Sequence, residues 1–284
     1  MSIKKFYKVL LLVSLFWLVG CPKAQTANEI GVSNPSKPVS NKIEIPKINN
    51  SAKVIHVLVA LCDNVNQGIV PVPAHLGNGE DTIKNLYWGA AYGVKTYFIK
   101  SLNWTKLATI QNPKENVLER VIFKYKTQNV YLVADAYRGS KMKETVNDFF
   151  SAVSGEMLEN VEINNLTLQI GGSANLVAFV GHNGLMDFKL DKEIVKKDDD
   201  KRDAIILACA SRQYFAPYLK KTNANPILWT SNLMAPEAYI LHDAIEGWIR
   251  GENNKQIQTR GAAAYAKFQK ISLKSASNLL VTGW

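Results

Sequence analysis

Three kinds of residue or motif are scarce in this 284-residue chain, and each scarcity removes a class of function. There are three cysteines and four histidines, with no Cys or Asp at ligand spacing beside the histidines, which argues against a zinc site. No phosphate-cradling P-loop and no glycine-rich dinucleotide fingerprint is present, so no nucleotide cofactor is expected, nor any other. Long runs of one charge are also missing. The balance of 34 Lys and Arg against 24 Asp and Glu gives +10, but the basic residues are scattered in pairs such as Lys196-Lys197, Lys201-Arg202 and Lys220-Lys221. The first two pairs flank Asp198-Asp199-Asp200, which makes 191–202 a solvated loop rather than a nucleic-acid surface. No nucleic-acid partner is expected. No internal repeat appears.

What is present begins at the N-terminus. Lys4, Lys5 and Lys8 precede an apolar stretch from Val9 to Val19, too short to span a bilayer comfortably. It ends in Leu18-Val19-Gly20-Cys21, which resembles a bacterial lipobox. That resemblance implies a signal peptide over 1–20, lipidation (palmitate among the chains) of Cys21, and a place in the bacterial cell envelope. Pro22 after the cysteine is similar to the pattern that permits transfer to an outer membrane. Removing 1–20 takes away three lysines and no acid, so the balance falls to +7. Residues 21–50 are rich in Asn, Ser, Pro and Lys and read as the lipidated end and a flexible tether. Residues 51–284 suffice for one domain with a sizeable core.

Two segments carry the chemistry. Residues 175–188 read Asn-Leu-Val-Ala-Phe-Val-Gly-His-Asn-Gly-Leu-Met-Asp-Phe, and 203–215 read Asp-Ala-Ile-Ile-Leu-Ala-Cys-Ala-Ser-Arg-Gln-Tyr-Phe. Each apolar run suits a strand buried on both faces, and each stops at a reactive side chain, His182 or Cys209. Ligands of open α/β sheets bind beyond the carboxyl ends of the strands. Neighbouring strands would therefore bring an imidazole and a thiol together at that edge. The alternative for Cys209 is a small buried hydrophobe, and for His182 a turn residue. Leu207, Ala208, Ala210 and Ser211 around the thiol do not form the Gly-X-nucleophile-X-Gly elbow of hydrolases and glutaminases. Cys62 and Cys209 fall at the ends of strands not expected to be adjacent, so no disulfide between them is expected.

The remaining pattern alternates strand and helix. Strands are predicted at 54–61, 130–134, 166–170 and 226–230 beside the two above. Loop 63–81 follows the first. A helix capped by Thr82 is predicted to 98, its stripe being Ile83, Leu86, Tyr87, Ala90, Val94 and Tyr97. Others are predicted from Ser140 to Gly155, from Pro236 to Gly251 and from 260 to 273. This predicts an α/β fold with a mostly parallel sheet and helices on both faces, three layers in all.

An apolar strand ending near His-Gly, followed by one ending in Ala-Cys, resembles the caspase–legumain–gingipain clan of cysteine peptidases. Val130-Tyr-Leu-Val-Ala-Asp135 and Lys143-Glu-Thr-Val-Asn-Asp-Phe-Phe150 are similar to that clan's second strand and following helix. Ala208-Cys-Ala-Ser-Arg-Gln-Tyr-Phe215 looks most like legumain and the related GPI transamidase. The chain departs in placing Asn183 between His182 and Gly184, and in separating His182 from Cys209 by only 27 residues. The resemblance implies a caspase-hemoglobinase-like fold, with Cys209 as nucleophile and His182 as general base and acid acting on a peptide or protein substrate. It also implies an oxyanion site at the backbone N–H of Cys209 and that of Asn183 or Gly184. Ser211 would lie beside this site. Asp187 could orient His182, and His75, in the loop after the first strand, would line the same edge. His56 and His242 read as structural. Three functions stay open: a lipid-anchored cysteine peptidase or transpeptidase, the same fold serving as a binding lipoprotein without turnover, and another hydrolase or acyltransferase sharing only the Cys–His pair.

Overall fold

The computed structural model describes residues 47–48 and 51–284. Cys21, the signal peptide expected over 1–20 and most of the tether expected over 21–50 lie outside the described residues. The strands are β1 (Lys47–Ile48), β2 (Lys53–Ala60), β3 (Trp104–Lys114), β4 (Val117–Tyr125), β5 (Val130–Tyr137), β6 (Leu158–Ile163), β7 (Leu166–Gly171), β8 (Leu176–Val180), β9 (Asp203–Leu207), β10 (Asn225–Thr230) and β11 (Leu280–Val281). The helices are α1 (Val94–Lys100), α2 (Met142–Val153), α3 (Ser211–Leu219), α4 (Ala238–Ile249), α5 (Asn254–Gln269) and α6 (Leu273–Leu279).

Eight strands form the main sheet in the order β11-β10-β9-β8-β2-β5-β4-β3. The central run from β10 to β5 is parallel, and the pairs at both edges are antiparallel. The fold is thus α/β with a mixed, mostly parallel sheet. β2 is buried almost throughout and β5 and β8 entirely, which is why they read as largely apolar runs. Each face of the sheet has its own core. Ile55, Val57 and Val59 of β2 join Phe98 of α1 with Leu241 and Ile245 of α4. Leu58 and Phe179 join Phe149 and Phe150 of α2 and Phe215 of α3 on the other. The rings of Phe150 and Phe215 stack at 5.5 Å. No helix among the described residues is long and apolar enough to cross a membrane.

A second sheet, β1-β7-β6, holds the strand expected at 166–170. Its β1 pairs parallel to β7, Lys47 opposite Leu166 and Ile48 opposite Thr167. The two sheets are joined by a buried charge network. Arg120 on β4 grips Asp135 on β5 with two bonds, Nε to Oδ1 at 2.6 Å and Nη2 to Oδ2 at 2.7 Å. Its Nη1 reaches Glu159 of β6 at 2.5 Å, and His56 Nε2 meets Asp135 Oδ2 at 3.2 Å. His56 is structural, as expected.

Three helix expectations are corrected. Residues 82–93 form turns, and only Val94–Lys100 is helical. Asn85 takes over the backbone there: its Oδ1 accepts from the N–H of Cys62 and of Tyr87, and its Nδ2 donates to the carbonyls of Cys62 and Asn78. Trp88, fully buried, donates Nε1 to Glu119 at 2.7 Å. Ile83, counted in the apolar stripe, points to solvent. Ser140 sits in a short 3-10 turn and caps nothing; α2 opens one turn later, with the Thr145 hydroxyl donating to the Lys141 carbonyl. The last predicted helix starts earlier, at Asn254, because Asn253 and Gln256 form a reciprocal capping box. It stops at Lys270 in the left-handed region, and α6 follows. The antiparallel pair β3–β4 extends the sheet beyond the strands predicted by pattern.

Candidate active site

β8 and β9 are parallel neighbours, with Val180 opposite Leu207. His182 and Cys209 each sit two residues beyond that paired position, at the same carboxyl edge of the sheet. The ladder runs one step further, since the Gly181 N–H donates to the Leu207 carbonyl at 3.1 Å. Gly181 has φ +152°, and a Cβ there would lie 3.0 Å from Ala60 Cβ and O, so the turn into His182 passes where a side chain does not fit.

The imidazole is held from one side. A single 3-10 turn at Gly184–Met186, in which Asn183 Oδ1 accepts the Leu185 N–H, brings Asp187 back to the histidine. Asp187 Oδ2 lies 2.6 Å from His182 Nε2. That contact leaves Nδ1 for a proton from elsewhere. Asp187 thereby fixes the orientation of the imidazole ring. Gly68 packs against it so closely that an added Cβ would meet Asp187 Oδ1 at 2.9 Å.

The thiol enters from the next strand. Cys209 is half-exposed, and Ala210 after it adopts φ +47°, ψ 35° to turn the chain sharply into α3. Cys209 Sγ donates to the Met234 carbonyl at 3.5 Å and accepts the Met234 N–H at 3.4 Å. No hydrogen bond joins it to His182. The two side chains line one cleft of about 370 Å³, whose other walls come from 68–70, Tyr87, Met186 and 233–236. Cys62 is also free but differs in setting: it is fully buried, and burial pushes its thiol up to about 11.

The remaining site expectations fare unevenly. Asn183 is fully buried and its Nδ2 donates to the Cys209 carbonyl at 2.6 Å, so its side chain staples the histidine turn to the cysteine turn. Gly184 does not provide an open approach: its N–H is taken by the His182 carbonyl, and a Cβ there would strike Met142 and the Phe188 ring. No hydrogen bond from a described residue engages the backbone N–H groups of Cys209 and Asn183. Ser211 does not line the cleft; its buried hydroxyl donates to the Ile206 carbonyl and meets Thr230 Oγ1 at 3.1 Å. His75 is exposed in its loop and does not line the cleft. His242 on α4 binds Ser101 and Asp243 away from the cleft. Pattern missed the walls at 68–70 and 233–236. Both follow carboxyl ends of sheet strands, β2 and β10, which was the available signal.

Among the described residues no three His, Cys, Asp or Glu side chains lie close enough to share a metal ion. No family model, no curated protein and no solved structure matches the chain.

Proposed function

We propose that this chain is a cysteine peptidase or transpeptidase of the caspase–legumain–gingipain type, working through Cys209 and His182. The observation that carries the reading is the placement of thiol and imidazole at matched positions past neighbouring parallel strands, in one cleft. The Cys209 proton passes to His182 as sulfur attacks an amide carbonyl, forming an S–C bond and an oxyanion at the Cys209 and Asn183 N–H groups. The intermediate collapses, the C–N bond breaks, and the amine leaves with the proton from His182. Water, or a second amine in a transpeptidase, then attacks the thioester carbon; the new C–O or C–N bond forms, the C–S bond breaks, and His182 takes the nucleophile's proton and returns it to the released sulfur. Asp187 keeps the imidazole oriented throughout. Substrate entry displaces Met234 from the thiol.

A peptidyl acyloxymethyl ketone tests this. It is expected to add one mass equivalent to the full chain, to lose that adduct in Cys209→Ala, and to keep it in Cys62→Ala. Labelling unaffected by Cys209→Ala would remove the reading. One observation favours a second function, a binding lipoprotein of the same fold without turnover: the thiol is engaged by Met234 and the imidazole by Asp187, not each by the other. An unlabelled wild type would support it.

The lipobox-like Leu18-Val19-Gly20-Cys21 supports anchoring of this domain to a bacterial envelope membrane by lipid. Stable attachment takes more than one acyl chain. Cys21→Ala protein is expected in the soluble fraction of cells; its retention on membranes through a high-salt wash would contradict the anchor.

A further inference from the structure

The walls of the cleft state what kind of residue it takes. Beyond His182, Cys209 and two glycines, the lining is apolar: Ile69, Val70, Tyr87, Met186, Leu233 and Met234, closed by Pro236. No Lys, Arg, Asp or Glu side chain contributes to it. The carboxylate behind Gly68, Asp187, is occupied by His182. The volume of about 370 Å³ lies within the roughly 300–1,000 Å³ range of built ligand sites. The rim is unusual for a surface in water. Val70 is 88% exposed, Leu233 67% and Met186 42%, from three different loops around one opening. Large apolar side chains converging on one concavity mark a surface that is covered when the site is used.

Resting on the peptidase reading above, we infer that the cleft selects a peptide carrying an uncharged, bulky apolar side chain on the acyl side of the scissile bond. That side chain is attached one carbon from the carbonyl under attack, so it is the part of the substrate brought nearest to Cys209. Inside the cleft a leucine or phenylalanine exchanges water for apolar walls. An aspartate, asparagine or arginine would give up its water for walls that carry no carboxylate, ammonium or guanidinium group and few hydrogen-bonding atoms. Pocket discrimination by even a single methylene is worth roughly 10–200-fold, so leucine should exceed alanine by more than about tenfold.

The test uses acetyl-dialanyl-X-aminomethylcoumarin amides with X as leucine, phenylalanine, alanine, asparagine, aspartate or arginine, on the full chain. The expected order of kcat/KM is leucine and phenylalanine first, alanine at least about tenfold lower, and the charged residues and asparagine lower still. Val70→Asp, a change at a solvent-facing position, is expected to cut leucine turnover by about tenfold and raise arginine turnover. Cleavage that depends on Cys209 but prefers aspartate, asparagine or arginine overturns the apolar site and leaves the peptidase standing. The apolar site is also overturned if Val70→Asp leaves the order unchanged. If no member is cleaved and the ketone probe does not label Cys209, both fall together.

Discussion

Arg120→Ala is expected to lower the unfolding free energy by roughly 3–5 kcal/mol, read from urea denaturation, because it leaves a charge buried without its partner. Asp135 is wholly buried and Arg120 nearly so. Burial alone would push the Asp135 carboxyl up, but the hydrogen bonds from Arg120 and His56 outweigh it and hold the carboxyl well below the usual carboxylate range. Cutting the guanidinium away restores the unfavourable burial at once. Arg120→Met combined with Asp135→Leu should cost much less than the sum of the two single changes, since a buried ion pair and an apolar pair of similar size are often close in stability. A strictly additive cycle would show that the pair is not coupled. The pH dependence follows from the depressed carboxyl. An unfolded aspartate titrates near about 4. The stability that Asp135 contributes is therefore fully present above about pH 4 and is lost as pH falls from there toward its folded value. In Asp135→Asn that part of the acid slope should vanish while the protein is less stable at neutral pH.

The sheet was legible where both faces are buried. β2, β8, β9 and β10 are short apolar runs closed by turn residues, and the core on both faces of the sheet requires nothing else of them. β3 was not, because it is the sheet's last strand: Thr105, Lys106, Gln111 and Asn112 face water and dilute its alternation. The helix expected from Thr82 failed for a different reason. Its apolar spacing is genuine, but Asn85 spends its amide on Cys62 and Asn78, and those tertiary bonds replace the helical ones. The capping box of Asn253 and Gln256 marks the true start of α5, six residues before the start expected from the pattern at 260.

At the site, His182 and Cys209 were legible because strand ends fix where side chains emerge. Asn183 and Ser211 carry polar groups into the same edge, but buried backbone carbonyls there need donors, and the carbonyls of Cys209 and Ile206 take them. The cleft walls were not legible. Gly68–Val70 is aimed by the Asp63 carboxylate, which accepts the N–H groups of Val65 and Asn66, and by Gln67, which donates to the carbonyls of Leu61 and Gly139. Such loop closure depends on residues distant in sequence and leaves no period.

Amide hydrolysis is expected to fall by about 10²–10⁴-fold in His182→Ala, the span of a lost general base, and at least as far in Cys209→Ala. The double variant should be little worse than Cys209→Ala alone, because residues that act as one unit are not additive. Asp187→Asn should lower the rate by less than His182→Ala does, since it loosens the base without removing it. Folding should be unchanged by circular dichroism in all of these variants. The most direct measurement is the alkylation rate of each thiol by iodoacetamide at neutral pH, followed by peptide mass in wild type and in His182→Ala. Cys62, buried and held up to about 11, should react slowly in both. If thiol and imidazole form one reacting pair, Cys209 alkylates faster than a free thiol and slows by at least about tenfold without His182. If Cys209 reacts no faster than a free thiol and its rate is the same in His182→Ala, the two side chains share a cleft but not a proton.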